Sequence, residues 1–178
     1  MNNMLPVGVR RDGSYYTRIE WASHSESNSL FWVCNLIDDD TERNGGTWGA
    51  NTNGPADVVL SFFGEIQEIG KIRIFHNVGL PISILEELAE RINVYVSCTE
   101  EPRTLKCNQE NPYYKLDKIT DVPWNLVASL QMKKEEGWQE FILEEKVKAK
   151  YVRFELVKNF GTPPDTPWVE TSEVKMYP

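Results

Sequence analysis

Arg91-Ile92-Asn93-Val94-Tyr95-Val96-Ser97 alternates polar and apolar side chains at every step. Successive residues of a β-strand point to opposite faces, so Ile92, Val94 and Val96 project together while their polar neighbours face away. The same period of two recurs outward along the chain, in Ile72 and Ile74, in Val152, Phe154 and Leu156, and in Val174 and Met176. These sets are the expected core. Strands are read at 18–22, 57–63, 70–76, 91–97, 124–130, 138–143, 150–158 and 170–177, separated by clusters of Gly, Pro, Asn and Asp. About eight such strands predict an all-β jelly-roll sandwich of two packed antiparallel sheets. One stretch departs from the pattern. Ser83 with Glu86 forms a capping box, and Ile84, Leu85, Leu88 and Ala89 follow helical spacing, so a short helix is expected over 83–90 in a loop.

The chain has 178 residues, a length that suits one buried core and so a single domain over 1–178, its core at about 18–177. The stretch 99–122, rich in Glu, Asn, Pro, Tyr and Lys, reads as an inserted surface loop. A formal charge of −8 argues against nucleic acid and anionic membranes as partners. The lysines at 133–134 and 146–150 alternate with glutamates and read as solvated faces. No transmembrane segment is evident, and residues 1–16 fall short of a secretory apolar region. Three cysteines are too few for a disulfide scaffold. Cys34, in an apolar run, is expected as a buried thiol, whereas Cys98 and Cys107 flank a polar loop that they could close in an oxidising compartment.

Two distant segments are rich in oxygen donors: Asn35-Leu36-Ile37-Asp38-Asp39-Asp40 leading to Thr47-Trp48, and Thr171-Ser172-Glu173 on the closing strand. Three adjacent carboxylates repel one another, and a cation relieves that repulsion. A solvated acidic turn, with Glu173 on a strand edge facing water, is the competing reading.

The order of Trp21-Ala22-Ser23-His24-Ser25, Asn35-Leu36-Ile37-Asp38, Thr47-Trp48, Val58-Val59-Leu60-Ser61-Phe62, Ile72-Arg73-Ile74, Ile92-Asn93-Val94-Tyr95-Val96-Ser97, Tyr151-Val152-Arg153-Phe154 and Ser172-Glu173-Val174 resembles the discoidin, or coagulation factor 5/8 type C, domains. It is likewise similar to carbohydrate-binding modules of family 32, which share the galactose-binding-like fold. The resemblance implies a structural Ca²⁺ held by Asn35, Asp38, Asp40, Thr47, Ser172 and Glu173, with Asp38 and Glu173 as the acidic pair. It also implies an extracellular or cell-surface setting within a larger protein; with no secretory region read in residues 1–16, a cytoplasmic setting is the alternative.

Sugar recognition needs an aromatic face for the pyranose ring and planar donors for its hydroxyls. Such groups concentrate at Arg43 and Asn44, at His76 and Asn77, and at Phe160 and Trp168 on a proline-stiffened loop. Each has a structural alternative. The resemblance implies Trp48 as a core anchor beneath the acidic loop, Trp124 and Trp138 at strand starts are expected in the core, and His76 at a strand end reads more readily as a half-buried, hydrogen-bonded histidine than as a ligand. The resulting expectation is a non-catalytic module for galactose- or N-acetylhexosamine-type glycans; a protein-interaction or adhesion module is the alternative. An enzyme is the weaker class. There are two histidines and no nucleophile elbow or phosphate loop, and carboxylates 38–40 stand too close together to act from opposite faces of a sugar.

Overall fold

The computed structural model describes residues 17–24, 29–42, 46–52, 55–77, 84–99, 122–162 and 165–178. Ten strands run through them: β1 Arg18–Ala22, β2 Trp48–Ala50, β3 Ala56–Ser61, β4 Gln67–His76, β5 Ala89–Ser97, β6 Asn125–Gln131, β7 Gly137–Ala149, β8 Tyr151–Asn159, β9 Val169–Thr171 and β10 Glu173–Tyr177. A five-stranded sheet in the order β1-β3-β8-β5-β6 faces a three-stranded sheet in the order β10-β4-β7, and β2 pairs with β9 at one end. The ladders between these strands are antiparallel, so the architecture is the expected β-sandwich.

The alternating sets form the core. Ile72, Ile74, Ile92, Val94, Val96, Val152, Phe154, Leu156, Val174 and Met176 all belong to one buried cluster, together with Val58, Leu60 and Trp48. Trp48 is fully buried and its indole N–H donates to the His24 carbonyl at 3.0 Å, which fastens β2 to the segment that follows β1. The closing strand is split. Ser172, fully buried, donates its N–H to the Phe75 carbonyl at 3.0 Å and carries the chain from the β2 pairing to the β4 pairing. The three-residue strand β2 is too short to leave an alternating signature, and it was not foreseen.

Four expectations need correction. Helical structure occurs as 3-10 turns at Ser29–Phe31 and Val33–Ile37, not over 83–90. Ser83 lies outside the described residues. Beyond it the chain makes a turn closed by Glu87 N–H to the Ile84 carbonyl, after which Leu88 bridges Glu170 and Ala89 opens β5. So short a helix is marginal in isolation, and pairing with β8 outweighs its local preference. Cys34 is exposed. The 3-10 turn repeats every three residues, so Val33 and Leu36 face the core while Cys34 between them faces out. Trp124 is half-buried against a satellite cluster of Trp21, Val59, Val122 and Tyr151, outside the main core. Trp138 is half-buried too, on the outer side of the three-stranded sheet, because it is paired with Phe75 and shares that residue's outward phase.

The loop at 100–121 and Cys107 lie outside the described residues; Cys98 is exposed, its thiol 3.2 Å from the Lys148 carbonyl. Among the described residues no helix is long and apolar enough to cross a membrane.

Candidate functional site

The two oxygen-rich segments meet. The 3-10 turn ends at Asp38, and Asp39 adopts a left-handed backbone conformation, φ 64°, that turns the chain back toward β10. Asp39 N–H then donates to Glu173 Oε2 at 3.1 Å, and the Lys175 ammonium pairs with the Asp39 carboxylate. Two side-chain turns shape the rest of the loop: Asp38 Oδ1 accepts from Asp40 N–H at 2.9 Å, and Asp40 Oδ1 accepts from Glu42 N–H at 3.0 Å. Local bonding thus satisfies part of what the acidic triplet seemed to need from a cation.

The remaining part is unsatisfied. Glu173 is 1% exposed and its Oε1 has no hydrogen-bond partner. Burial, followed by the nearby charge of Asp38, pushes the Glu173 carboxyl up to about 9. Desolvation likewise raises Asp38 above the ordinary carboxylate range. Beside this pair, Thr47 Oγ1 donates to the Thr171 carbonyl at 2.9 Å, and Ser172 Oγ donates to Thr47 Oγ1 at 3.4 Å. Asp38 and Glu173 therefore lie close to one another, and Thr47 bonds to Thr171 and Ser172, the two residues before Glu173.

Asn35 supports the site through its side chain, whose amide donates to the carbonyls of Leu30 at 3.1 Å and Thr47 at 3.0 Å. Replacing it with alanine should unfasten two carbonyls at once. Asn35→Ala is expected to lower stability by about 1 to 3 kcal/mol in urea denaturation; a cost near zero would show that the clasp contributes nothing.

Two carboxylates, hydroxyls and carbonyls are hard oxygen donors, the kind that a hard cation takes. The donor set fits calcium. Among the described residues no group of three or more His, Cys, Asp or Glu side chains converges, so any ion here would depend on hydroxyl and carbonyl oxygen beside the Asp38–Glu173 pair.

A cleft of about 410 Å³ opens next to this loop, lined by Thr41, Phe75, His76, Asn77, Glu136 and Gly137. Both of its walls are fastened. On one side Asn77 Nδ2 donates to the Glu42 carbonyl at 2.8 Å. On the other, the Gln139 amide clasps the β6–β7 turn, accepting from Lys133 N–H at 2.7 Å and donating to the Lys133 carbonyl at 2.9 Å. Gly137, at φ 105°, then turns the chain into β7 as few other residues can.

His76 departs from its expected half-buried, hydrogen-bonded state. It is 0% exposed and neither ring nitrogen has a hydrogen-bond partner. Burial lowers its pKa to about 4, so at neutral pH the ring is an uncharged donor and acceptor.

The structure thus brings His76 and Asn77 together. Arg43 and Asn44 lie outside the described residues, directly after Glu42. Phe160 and Trp168 belong to another loop, held by Asn159 Nδ2 donating to the carbonyls of Thr166 at 2.9 Å and Trp168 at 2.6 Å. There Trp168 leans on Phe31 with ring centres 5.4 Å apart, and neither it nor Phe160 lines the cleft. Phe75 was missed. The alternation that buries Ile72, Ile74 and His76 points Arg73, Phe75 and Lys71 outward, and that phase was legible.

No protein-family model matches the chain, and no curated protein does. Solved structures do. The module CpGH89CBM32-5 from Clostridium perfringens, in complex with GalNAc-β-1,3-galactose, superposes with a TM-score of 0.63 at 10% identity, over 92% of this chain and 96% of that one. The family 32 module of NanJ from the same organism, in complex with galactose, gives 0.63 at 10% identity over 92% and 94%. The CBM32-1 and CBM32-2 domains of C. perfringens ZmpB, in complex with GalNAc, give 0.62 at 19% identity over 95% of this chain and 35% of that one. The chain accordingly has the galactose-binding-like β-sandwich fold of family 32 carbohydrate-binding modules.

Proposed function

We propose that the chain is a non-catalytic carbohydrate-binding module with its glycan site in the cleft at Phe75, His76 and Asn77 and a structural Ca²⁺ at Asp38 and Glu173. The observation that carries the reading is His76: a neutral imidazole, buried and unpartnered, in the lining of a cleft that also offers an aromatic ring and an amide. An unpartnered buried polar group costs stability; both ring nitrogens are closed to solvent in the free protein, so a sugar hydroxyl would partner them only with a side-chain shift at the cleft wall. Similarity in fold to modules solved with galactose and GalNAc supports a galactose- or N-acetylhexosamine-type ligand. An extracellular or cell-surface setting belongs to the same reading.

The ion would be held by Asp38 and Glu173 with Thr47, Ser172, Asp40 and Asn35 supplying carbonyl or hydroxyl oxygen. It would neutralise the two carboxylates and fasten the 38–42 loop, one wall of the cleft, to β10. Arg43 and Asn44 are proposed as further donors, and Phe160 with Trp168 as a flanking aromatic wall.

Affinity should be modest, because a shallow site exchanges water hydrogen bonds for protein ones. Calorimetric titration with galactose and N-acetylgalactosamine should give heat for the wild type, and His76→Asn should weaken binding about tenfold. Trp168→Ala should have the smaller effect. A silent titration and glycan array, with a protein captured instead, would favour the adhesion alternative.

A further inference from the structure

The outer face of the three-stranded sheet differs from the rest of this acidic chain. Strand register places Phe75 beside Trp138, then Lys175, Arg73 and Glu140 in the next row, and Tyr177 beside Lys71 in the third. The Trp138 ring centre lies 5.2 Å from that of Phe75, 4.6 Å from the Arg73 guanidinium and 5.3 Å from the Lys175 ammonium. Reaching from β7 across β4 to a residue of β10 requires the indole to lie down over the sheet. Trp138 thus sits half-buried on the outer side of the sheet, with two cations and the Phe75 ring against it.

The cations are incompletely matched. Arg73 Nε has no hydrogen-bond partner, and its neighbouring carboxylate oxygen, Glu140 Oε2, is 3.9 Å away, too far for a hydrogen bond. Lys71 Nζ holds that same oxygen at 3.2 Å. Lys175 pairs with Asp39. Arg73 Nε is itself closed to solvent, but the Arg73 and Lys71 side chains are 32% and 33% exposed, and an incoming carboxylate would meet that exposed part as a charge-assisted partner. Phe75 joins the two regions, because it lines the cleft and meets the Trp138 ring at a 50° tilt.

We propose that the cleft continues onto this face as a second subsite for a carboxylate-bearing sugar, its ring on Trp138 and its carboxylate held by Arg73 and Lys71, so that the ligand is an acidic oligosaccharide. The proposal rests on the carbohydrate reading for the first subsite. Sialic and uronic acids share the chemistry, and the test separates them.

The experiment is calorimetric titration in calcium buffer with lactose, 3′-sialyllactose and digalacturonate, on the wild type, Arg73→Gln, Lys71→Gln and His76→Asn. At low salt at least one acidic sugar should bind about tenfold more tightly than lactose. That preference should shrink at high salt and fall to less than about threefold in Arg73→Gln and Lys71→Gln. Should Arg73→Gln melt early, Lys71→Gln decides. Lactose binding without an acidic preference, or a preference that both variants keep, overturns this subsite and leaves the carbohydrate reading standing. Silence toward all three sugars overturns both. Acidic binding that persists in His76→Asn while lactose stays silent upholds the second subsite and removes the first.

Discussion

Chelation with EGTA is expected to lower the melting temperature by roughly 5 to 10 °C. An ion that binds only the folded state stabilises it by about 2.7 kcal/mol at a hundredfold excess over its dissociation constant. For a domain of this size each kcal/mol moves the midpoint by about 2 to 4 °C. The physical origin is Glu173: folding buries its carboxyl beside Asp38, and without a cation the group must take up a proton or bear uncompensated charge. Glu173→Gln removes that charge. It should lose the response to calcium and melt in EGTA at or above the wild type, and Asp38→Ala should also lose the response. A wild-type midpoint indifferent to EGTA would take calcium out of the account.

Acid is expected to destabilise the fold through His76. Its folded pKa of about 4 lies below its ordinary 6.5, so the neutral ring is the form the fold favours. As pH falls below 6.5 the unfolded chain takes up the proton first, and the stability present above that pH is lost progressively toward pH 4. The shift corresponds to about 3 kcal/mol in full. Glu173 acts in the opposite sense, since a raised carboxyl contributes stability at low pH that is lost as pH rises through about 9. Comparing wild type with His76→Gln cancels that contribution. Urea denaturation at pH 7, 5.5 and 4.5 should show wild-type stability falling faster than the variant's. Parallel pH profiles would mean that His76 is hydrated or hydrogen-bonded and not held neutral by burial.

The sandwich was legible because its strands are buried on one side, and alternation records that side residue by residue. Elements positioned by tertiary pairing left no such record. Strand β2 is held by β9, and the turn at 84–88 follows β5 onto β8, although its own residues favour a helix. The Asp38–Glu173 pair could be found because carboxylates are conspicuous and resemblance joined two distant segments. Phe75 and Trp138 were harder. Each is apolar on the outward phase, where only the folded structure shows that their rings meet and that Phe75 lines a cleft. Trp168 misled in the other direction: a tryptophan on a proline-rich loop suggests a platform, yet here it rests on Phe31.

The most direct test of the central claim is a nuclear magnetic resonance titration of the calcium-loaded protein with galactose and N-acetylgalactosamine, followed through backbone amides. Saturable shifts are expected, concentrated at Thr41, Phe75, His76, Asn77 and Gly137. Unchanged spectra, or shifts confined to residues 160–168, would contradict the claim.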